Sequence, residues 1–119
     1  MAIIRRKNHS KLEQEMGFEL MSRKIKFVSQ YKFADDRKWL FDFAIPEHKI
    51  AIECQGGLFM WGRHNRGASL INEYEKINTA NVMGWTVLYA TDKEGPVQIR
   101  IVAQIVSDLI DEKTNNCFL

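Results

Sequence analysis

The chain has 119 residues, which suffices for one domain with a hydrophobic core but not for two. Its composition, 45% hydrophobic and 27% charged, is that of an ordinary soluble globular protein, and no segment approaches the roughly 20 apolar residues of a membrane span. Cys54 and Cys117 are isolated thiols without a CxxC spacing. They predict a reducing cytoplasm and argue against a structural zinc site.

The net charge of +2 is unevenly distributed along the chain. Residues 1–38 hold ten Lys and Arg against five Asp and Glu, whereas residues 39–119 hold seven against ten. A basic first part and an acidic remainder fit a protein that meets a polyanion and holds cations at a carboxylate cluster. Solvated surface charge explains the asymmetry about equally well.

The first predicted element is a helix that follows a basic lead-in over residues 1–9. Ser10 and Glu13 form a capping-box pattern, which places the start of this helix at Ser10. Leu12, Met16 and Leu20 give it an apolar side. Two roles stay open for Glu13, either the capping partner alone or an acid that also serves a functional site.

A first strand over Phe27–Phe33 and a β-hairpin follow. Two apolar runs, Trp39–Ile45 and Ile50–Cys54, flank a short segment that contains proline, which is typical of a hairpin. Each run carries one carboxylate, Asp42 in the first and Glu53 in the second. We expect the strand register to bring these two acids together.

Strand alternation divides the hairpin side chains between two faces. It predicts that three aromatic residues share the face opposite Asp42: Trp39, Phe41 and Phe43. Glu53 shares its face with Ala51 and Gln55. Two adjacent carboxylates among apolar neighbours repel each other and lose hydration, and a divalent cation with oxygen ligands relieves both costs. The alternative is two ordinary acids on a solvent-facing sheet.

The stretch from Leu58 to Gly67 combines glycines, aromatic residues and basic residues. We expect Arg63, His64 and Arg66 to contact nucleic-acid phosphates, because loops that combine aromatic and guanidinium groups commonly bind the nucleic-acid backbone. The alternative is a surface loop whose aromatic residues cover the core.

The remaining elements are predicted as a helix over Ala68–Met83, a buried strand over Trp85–Ala90, a helix from Pro96 and a tail over residues 114–119. In the first of these helices, Leu70, Tyr74 and Ile77 form the expected apolar stripe. The element order is therefore αβββαβα in one α/β domain, with a mixed β-sheet flanked by helices. A strand that follows a helical crossover can join such a sheet in parallel.

A helix-borne Glu13, then Asp42, then Glu53 and Gln55, then a helix and a strand resemble the PD-(D/E)XK nuclease superfamily, which has the restriction-endonuclease-like fold. The glycine-rich segment after Gln55 resembles small very-short-patch-repair-like endonucleases of phages and prophages. The resemblance covers roughly residues 10–90. In it, Gln55 stands where the family usually has lysine, and Phe41 stands where the motif name has proline.

The resemblance implies an endonuclease that hydrolyses DNA phosphodiester bonds with Mg²⁺, for which Mn²⁺ can substitute. The residues that would hold the metal are Asp42, Glu53, the Cys54 carbonyl and Glu13. The lysine role falls either to Gln55, as a neutral residue that orients water, or to Lys76 from the following helix. DNA is the implied partner, branched or nicked DNA is one implied substrate, and the setting is the cytoplasm of a bacterium or a phage-infected host. A homodimer stays open.

Two other classes of function remain compatible with the sequence. One is a catalytically inactive nuclease fold that only binds DNA, which metal titration would distinguish from an enzyme. The other is a small protein-interaction domain whose hairpin acids are surface groups. Absence of DNA affinity at low salt would favour that second class.

Overall fold

Residues 10–56 and 67–116 are described by the computed structural model of the chain. Their helices and strands, in chain order, are α1 (Lys11–Ser22), β1 (Val28–Lys32), β2 (Leu40–Ile45), β3 (Ile50–Gln55), α2 (Gly67–Val82), β4 (Thr86–Thr91) and α3 (Pro96–Asn116). Over the described ranges this confirms the predicted order αβββαβα. The last helix extends further than expected, because it includes Thr114–Asn116 of the predicted tail. Among the described helices, none is long and apolar enough to cross a membrane.

The four strands form one mixed sheet in the order β1-β2-β3-β4. The pairs β1–β2 and β2–β3 are antiparallel, as expected of strands joined by short connections. Strand β4 pairs with β3 in parallel, which the α2 crossover between them makes possible. The carboxyl ends of β3 and β4 therefore lie at the same edge of the sheet.

Helix α1 begins at a complete capping box. The Ser10 hydroxyl accepts a hydrogen bond from the Glu13 backbone N–H, and the Glu13 carboxylate accepts one from the Ser10 backbone N–H. Leu12, Met16 and Leu20 are buried on one side, as the sequence spacing predicts. These residues pack with α3 against the sheet.

The sheet is covered on both faces. Helices α1 and α3 cover one face, where the core contains Phe43, Ile45, Ile50 and Ile52. Helix α2 covers the other face over a more aromatic cluster that comprises Phe33, Trp39, Phe41 and Trp85 with several alanines. Phe41 and Phe43 are fully buried, and each burial is worth about 1.5–3 kcal/mol.

The expected alternation in β2 is wrong at one point. Phe41 packs on the α2 face and Phe43 packs on the α1–α3 face, although two residues that far apart on a regular strand would share a face. Asp42 lies between them, at the position where the strand changes faces. Strand β1 changes faces with it, since Phe27 packs with Phe43 whereas Tyr31 packs with Trp85. In β3, by contrast, the predicted alternation is confirmed.

The expected apolar stripe of α2 is also wrong in part. Tyr74 is 58% exposed, and the buried positions of this helix are Lys76 and Ala80. Ala80 packs against the aromatic cluster of the α2 face. A lysine therefore occupies a place that the hydrophobic pattern gave to Tyr74, and its partner belongs to the site described below.

Candidate active site

The candidate site begins where regular pairing of β2 and β3 ends. The last paired residues are Phe43 and Ile52, so Asp42 and Glu53 come next in the register. The Asp42 backbone N–H donates to Glu53 Oε2 at 3.0 Å, and the Cys54 backbone N–H donates to Asp42 Oδ2 at 2.8 Å. In a regular antiparallel pair, backbone N–H groups donate to backbone carbonyl oxygens, whereas here these two donate to carboxylate oxygens. The predicted proximity of these two acids is confirmed.

Lys76 reaches this pair from helix α2. Its Nζ forms a hydrogen-bonded ion pair with Glu53 Oε1 and lies 5.6 Å from the centre of the Phe41 ring. Glu53 is 4% exposed and Lys76 is 8% exposed. Charged side chains are rarely buried to this extent unless they are paired. The pair therefore explains why a lysine occupies the buried side of α2.

Burial dominates the electrostatics of Glu53. Loss of hydration raises the pKa of its carboxyl from 4.5 to about 7, against the opposing effect of the Lys76 ammonium, and the negative charge of Asp42 adds to the rise. Without a further cation, the Glu53 carboxyl therefore titrates near neutral pH. An additional positive charge nearby would favour its ionised form.

Glu13 approaches the site from the α1 face. Its Oε1 is held by the Ser10 backbone N–H and hydroxyl, each at 3.3 Å, and its Oε2 accepts a hydrogen bond from the Gln30 side-chain amide at 3.4 Å. Burial raises the pKa of the Cys54 thiol, and the negative charges of Asp42, Glu13 and Glu53 raise it further. Glu13 is the capping partner of α1, and its negative charge also acts on Cys54, the residue next to Glu53 in β3.

A cavity of about 460 Å³ opens on the α1–α3 face of the sheet, and its lining does not include Asp42, Glu53 or Lys76. It lies between the beginnings of α1 and α3, and its lining includes Glu13, Glu15, Cys54, Gly56 and Asp92. A Cβ at Gly56 would lie 3.4 Å from Asp92 Oδ2, so glycine keeps room beside that carboxylate. Asp92 was not predicted from the sequence as a site residue. Its position directly after β4 was the available signal, because the carboxyl ends of parallel neighbours meet at one edge.

The α2 face carries a second acid, Glu73. Tyr89 lies beside Glu53 in the parallel register and hydrogen-bonds Glu73 of α2. Burial raises the pKa of Tyr89 to about 12, and the charges of Glu73 and Glu53 contribute. Glu73 Oε2 is buried and is not hydrogen-bonded within the described part of the chain.

Where the pairing of β2 and β3 ends, the oxygen ligands of Asp42 and Glu53 suit a hard divalent cation better than a soft one. Within residues 10–56 and 67–116, no three His, Cys, Asp or Glu side chains are grouped closely enough to hold a metal alone. Mg²⁺ does not need such a cage, because it usually binds one or two carboxylates and keeps water or phosphate oxygens as its other ligands. Asp42, Glu53 and the Cys54 carbonyl are compatible with that mode of binding.

Three predicted positions fall outside the part of the chain that the structure describes: Arg63, His64 and Arg66. Gln55 lies at the end of β3, opposite Thr91 of β4. The two residues considered for the lysine role are therefore placed differently, since Lys76 contacts Glu53 directly and Gln55 lies two residues further along the strand.

This arrangement occurs in a fold that a known nuclease shares. The solved structure of the catalytic domain of homing endonuclease I-Bth0305I is similar to this chain with a TM-score of 0.62 and 20% sequence identity. The match covers 85% of this chain and 94% of that one. At this identity the likeness shows a common fold. No protein-family model matches the chain, and no curated protein matches its sequence.

Proposed function

We propose that this protein is a metal-dependent DNA endonuclease of the PD-(D/E)XK type, similar to very-short-patch-repair-like enzymes. The observation that carries the proposal is the buried group of Asp42, Glu53 and Lys76 at the point where the hairpin ladder opens. A fold shared with a homing endonuclease catalytic domain supports the same reading. DNA is then the substrate.

Asp42, Glu53, the Cys54 carbonyl and Glu13 would hold one or two Mg²⁺ ions, and Mn²⁺ would substitute. When bound, such a cation activates water and neutralises the charge that develops on the phosphate. Asp42 is already oriented by the Cys54 backbone N–H, and Glu53 by the Asp42 backbone N–H. The protein thus fixes its acidic ligands through the backbone, which limits the reorganisation required when substrate binds.

Lys76 is our preferred residue for the lysine role. Its ammonium is held against Glu53 by the ion pair and lies near the ring of Phe41, so it provides fixed positive charge where a phosphate would approach the acids. Gln55 would then orient water through its neutral amide, which does not titrate near neutral pH. Comparing Lys76→Ala with Gln55→Ala at saturating metal separates these roles.

Arg63, His64 and Arg66 would position the DNA backbone. Substituting either arginine with alanine should weaken binding similarly on unrelated sequences and reduce the salt dependence of affinity. A loss confined to one sequence would indicate base readout instead. We place the activity in the cytoplasm of a bacterium or a phage-infected host, with monomer and homodimer as the two arrangements to distinguish by light scattering.

A second candidate is a nuclease fold that binds DNA without cleaving it. The observation in its favour is the absence, in the described part of the chain, of a three-residue metal cluster. DNA affinity that does not respond to divalent cations, together with no cleavage, would support it.

The decisive experiment is a cleavage assay on labelled linear duplex, nicked duplex and four-way-junction DNA. Each substrate is incubated with purified protein in Mg²⁺, Mn²⁺ or EDTA, and Asp42→Asn provides the matched inactive control. We expect cleavage in Mg²⁺ and Mn²⁺ that EDTA and Asp42→Asn both abolish. The ranking of the three substrates reports any preference for nicked or branched DNA.

A further inference from the structure

Gln30 has a backbone conformation that is unusual for its position. Its φ of +51° lies in the left-handed region, although it is a non-glycine residue in the middle of strand β1. The other described non-glycine residues with positive φ are Lys24, Lys49 and Glu94, and each lies in a turn. A side chain in this region costs free energy, so such residues persist where the surrounding structure holds them and often lie at functional sites.

The strain is located directly beside the candidate site. The pairs Ser29–Phe43 and Tyr31–Phe41 place Gln30 opposite Asp42 in the β1–β2 register. This is the point at which both strands exchange the faces of their side chains. The irregularity of β1 therefore accompanies the irregularity of β2 that presents Asp42 to the Cys54 backbone.

The Gln30 side chain also reaches α1. Its Nε2 donates to Glu13 Oε2 at 3.4 Å, while the capping box holds Glu13 Oε1. Both oxygens of one carboxylate are thus restrained, one by its own helix and the other by the strand that pairs with Asp42. A capping role requires only the contact with Ser10, so the Gln30 contact is additional to what helix capping needs.

We propose that Gln30 is a positioning residue, which fixes the Glu13 carboxylate relative to Asp42 so that both act on one cation. This inference rests on the proposed function in one respect, namely that Glu13 contributes to the cation site. Residues that orient metal ligands typically affect metal affinity or activity by 10–100-fold when they are replaced. The role therefore has a measurable consequence apart from cleavage.

The test measures Mn²⁺ affinity in the absence of DNA, by titration calorimetry, together with the melting temperature in EDTA. Gln30→Gly removes the amide but keeps a residue that adopts positive φ without steric cost. Lys49→Gly is the control, because it also places glycine at a left-handed residue, here in the hairpin turn. We expect Gln30→Gly to weaken Mn²⁺ binding about 10-fold with little change in melting temperature. Lys49→Gly should leave Mn²⁺ affinity unchanged.

A double substitution shows whether Gln30 acts through Glu13. In a Glu13→Gln background, Gln30→Gly should have no further effect on Mn²⁺ affinity. Equal 10-fold losses in both backgrounds would overturn the positioning role, and so would unchanged affinity in Gln30→Gly. If wild type and Asp42→Asn bind Mn²⁺ equally, the cation site of the proposed function fails, and this inference fails with it. If Mn²⁺ binding is weakened by Asp42→Asn but not by Gln30→Gly, only the positioning role of Gln30 is refuted.

Discussion

The two ends of the β2–β3 hairpin provide different hydrogen-bond acceptors for their backbone N–H groups. At the turn end, Ile45 pairs with Ile50, both are buried, and the Lys49 backbone N–H donates to the Pro46 carbonyl at 3.2 Å. At the open end, the carboxylates of Asp42 and Glu53 accept the backbone donors instead. Only the open end buries charge.

The charges near the turn end remain in water. Glu47 and Lys49 are exposed, and a second cavity beside them is lined by residues of both signs, among them Arg23, Lys26 and Asp111. Ordinary carbonyl pairing shows that a hairpin of this sequence can close without acids. Because desolvated charges generally cost more than apolar replacements, the acids of the open end are better explained by chemistry than by stability.

The largest expected difference between the two ends is in catalysis. Asp42→Asn and Glu53→Gln should each reduce DNA cleavage about 100-fold or more, because each removes an anionic oxygen from the proposed cation site. Glu47→Gln makes the same chemical change at the turn end and should leave cleavage unaffected. Initial rates on one labelled duplex in Mg²⁺ provide the measurement. Near-full activity of either strand variant would refute the proposed site.

The buried ion pair should dominate the stability difference. Lys76→Met leaves Glu53 desolvated without its partner and should lower the free energy of unfolding by about 3 kcal/mol at pH 8. The double variant Glu53→Gln, Lys76→Met should recover most of that loss, since it removes the unpaired charge and keeps an acceptor for the Asp42 backbone N–H. Urea unfolding in EDTA measures both.

An exposed ion pair supplies the control for this prediction. Arg37 Nη1 and Glu75 Oε1 lie 3.8 Å apart, and both side chains are about half exposed. Glu75→Gln removes this ion pair and leaves the contact of Arg37 with the Trp39 ring in place, so it should change stability by no more than about 1 kcal/mol. Equal losses for Glu75→Gln and Lys76→Met would mean that burial does not strengthen the Lys76 pair.

The pH dependence of stability should report the same burial. The pKa of Glu53 is raised from 4.5 in the unfolded chain to about 7 in the fold, so between these values the folded state retains a proton that the unfolded state has lost. Its contribution is complete below pH 4.5 and is lost as pH rises through about 7. The difference between these two pKa values corresponds to a contribution of at most about 3 kcal/mol to the free energy of unfolding.

We therefore expect the metal-free wild type to lose stability relative to Glu53→Gln between pH 5 and pH 8. Urea unfolding of both proteins in EDTA gives the difference at each pH. Mn²⁺ should reduce this loss, because a bound cation favours the ionised carboxylate. A difference between the two proteins that is constant with pH would contradict a raised pKa for Glu53.

The sequence predicted the elements and their order because the relevant signals are local. The capping box at Ser10 and the alternation of β3 are both properties of short segments, and the structure confirms them. The proximity of Asp42 and Glu53 followed from hairpin register. The change of face at Asp42 was not predicted, because it coincides with a left-handed residue, Gln30, in the neighbouring strand, and no local pattern in β2 indicates it.

Lys76 and Asp92 show a second limit. A helix with one buried lysine has a hydrophobic pattern that assigns the lysine to solvent, and only the ion pair with Glu53 reverses that assignment. Asp92 follows a strand whose neighbour is fixed by the parallel β3–β4 pairing, and so its approach to the cavity depends on the tertiary topology. Lys76 was named from the sequence as a candidate for the lysine role, but its burial was not predicted, and Asp92 was not named at all. Both cases concern contacts between segments that are distant in sequence.

The smallest expected effect belongs to the turn end. Lys49 is left-handed with φ +53°, and its side chain donates to the Met83 carbonyl at 2.7 Å near the surface. Lys49→Gly relieves the backbone strain but increases the entropy of the unfolded chain and removes that exposed hydrogen bond. These contributions oppose each other, so the free energy of unfolding should change by less than about 1 kcal/mol and cleavage should not change. A large loss of cleavage in Lys49→Gly would show that the turn end communicates with the acids, and the functional distinction between the two ends would then be wrong.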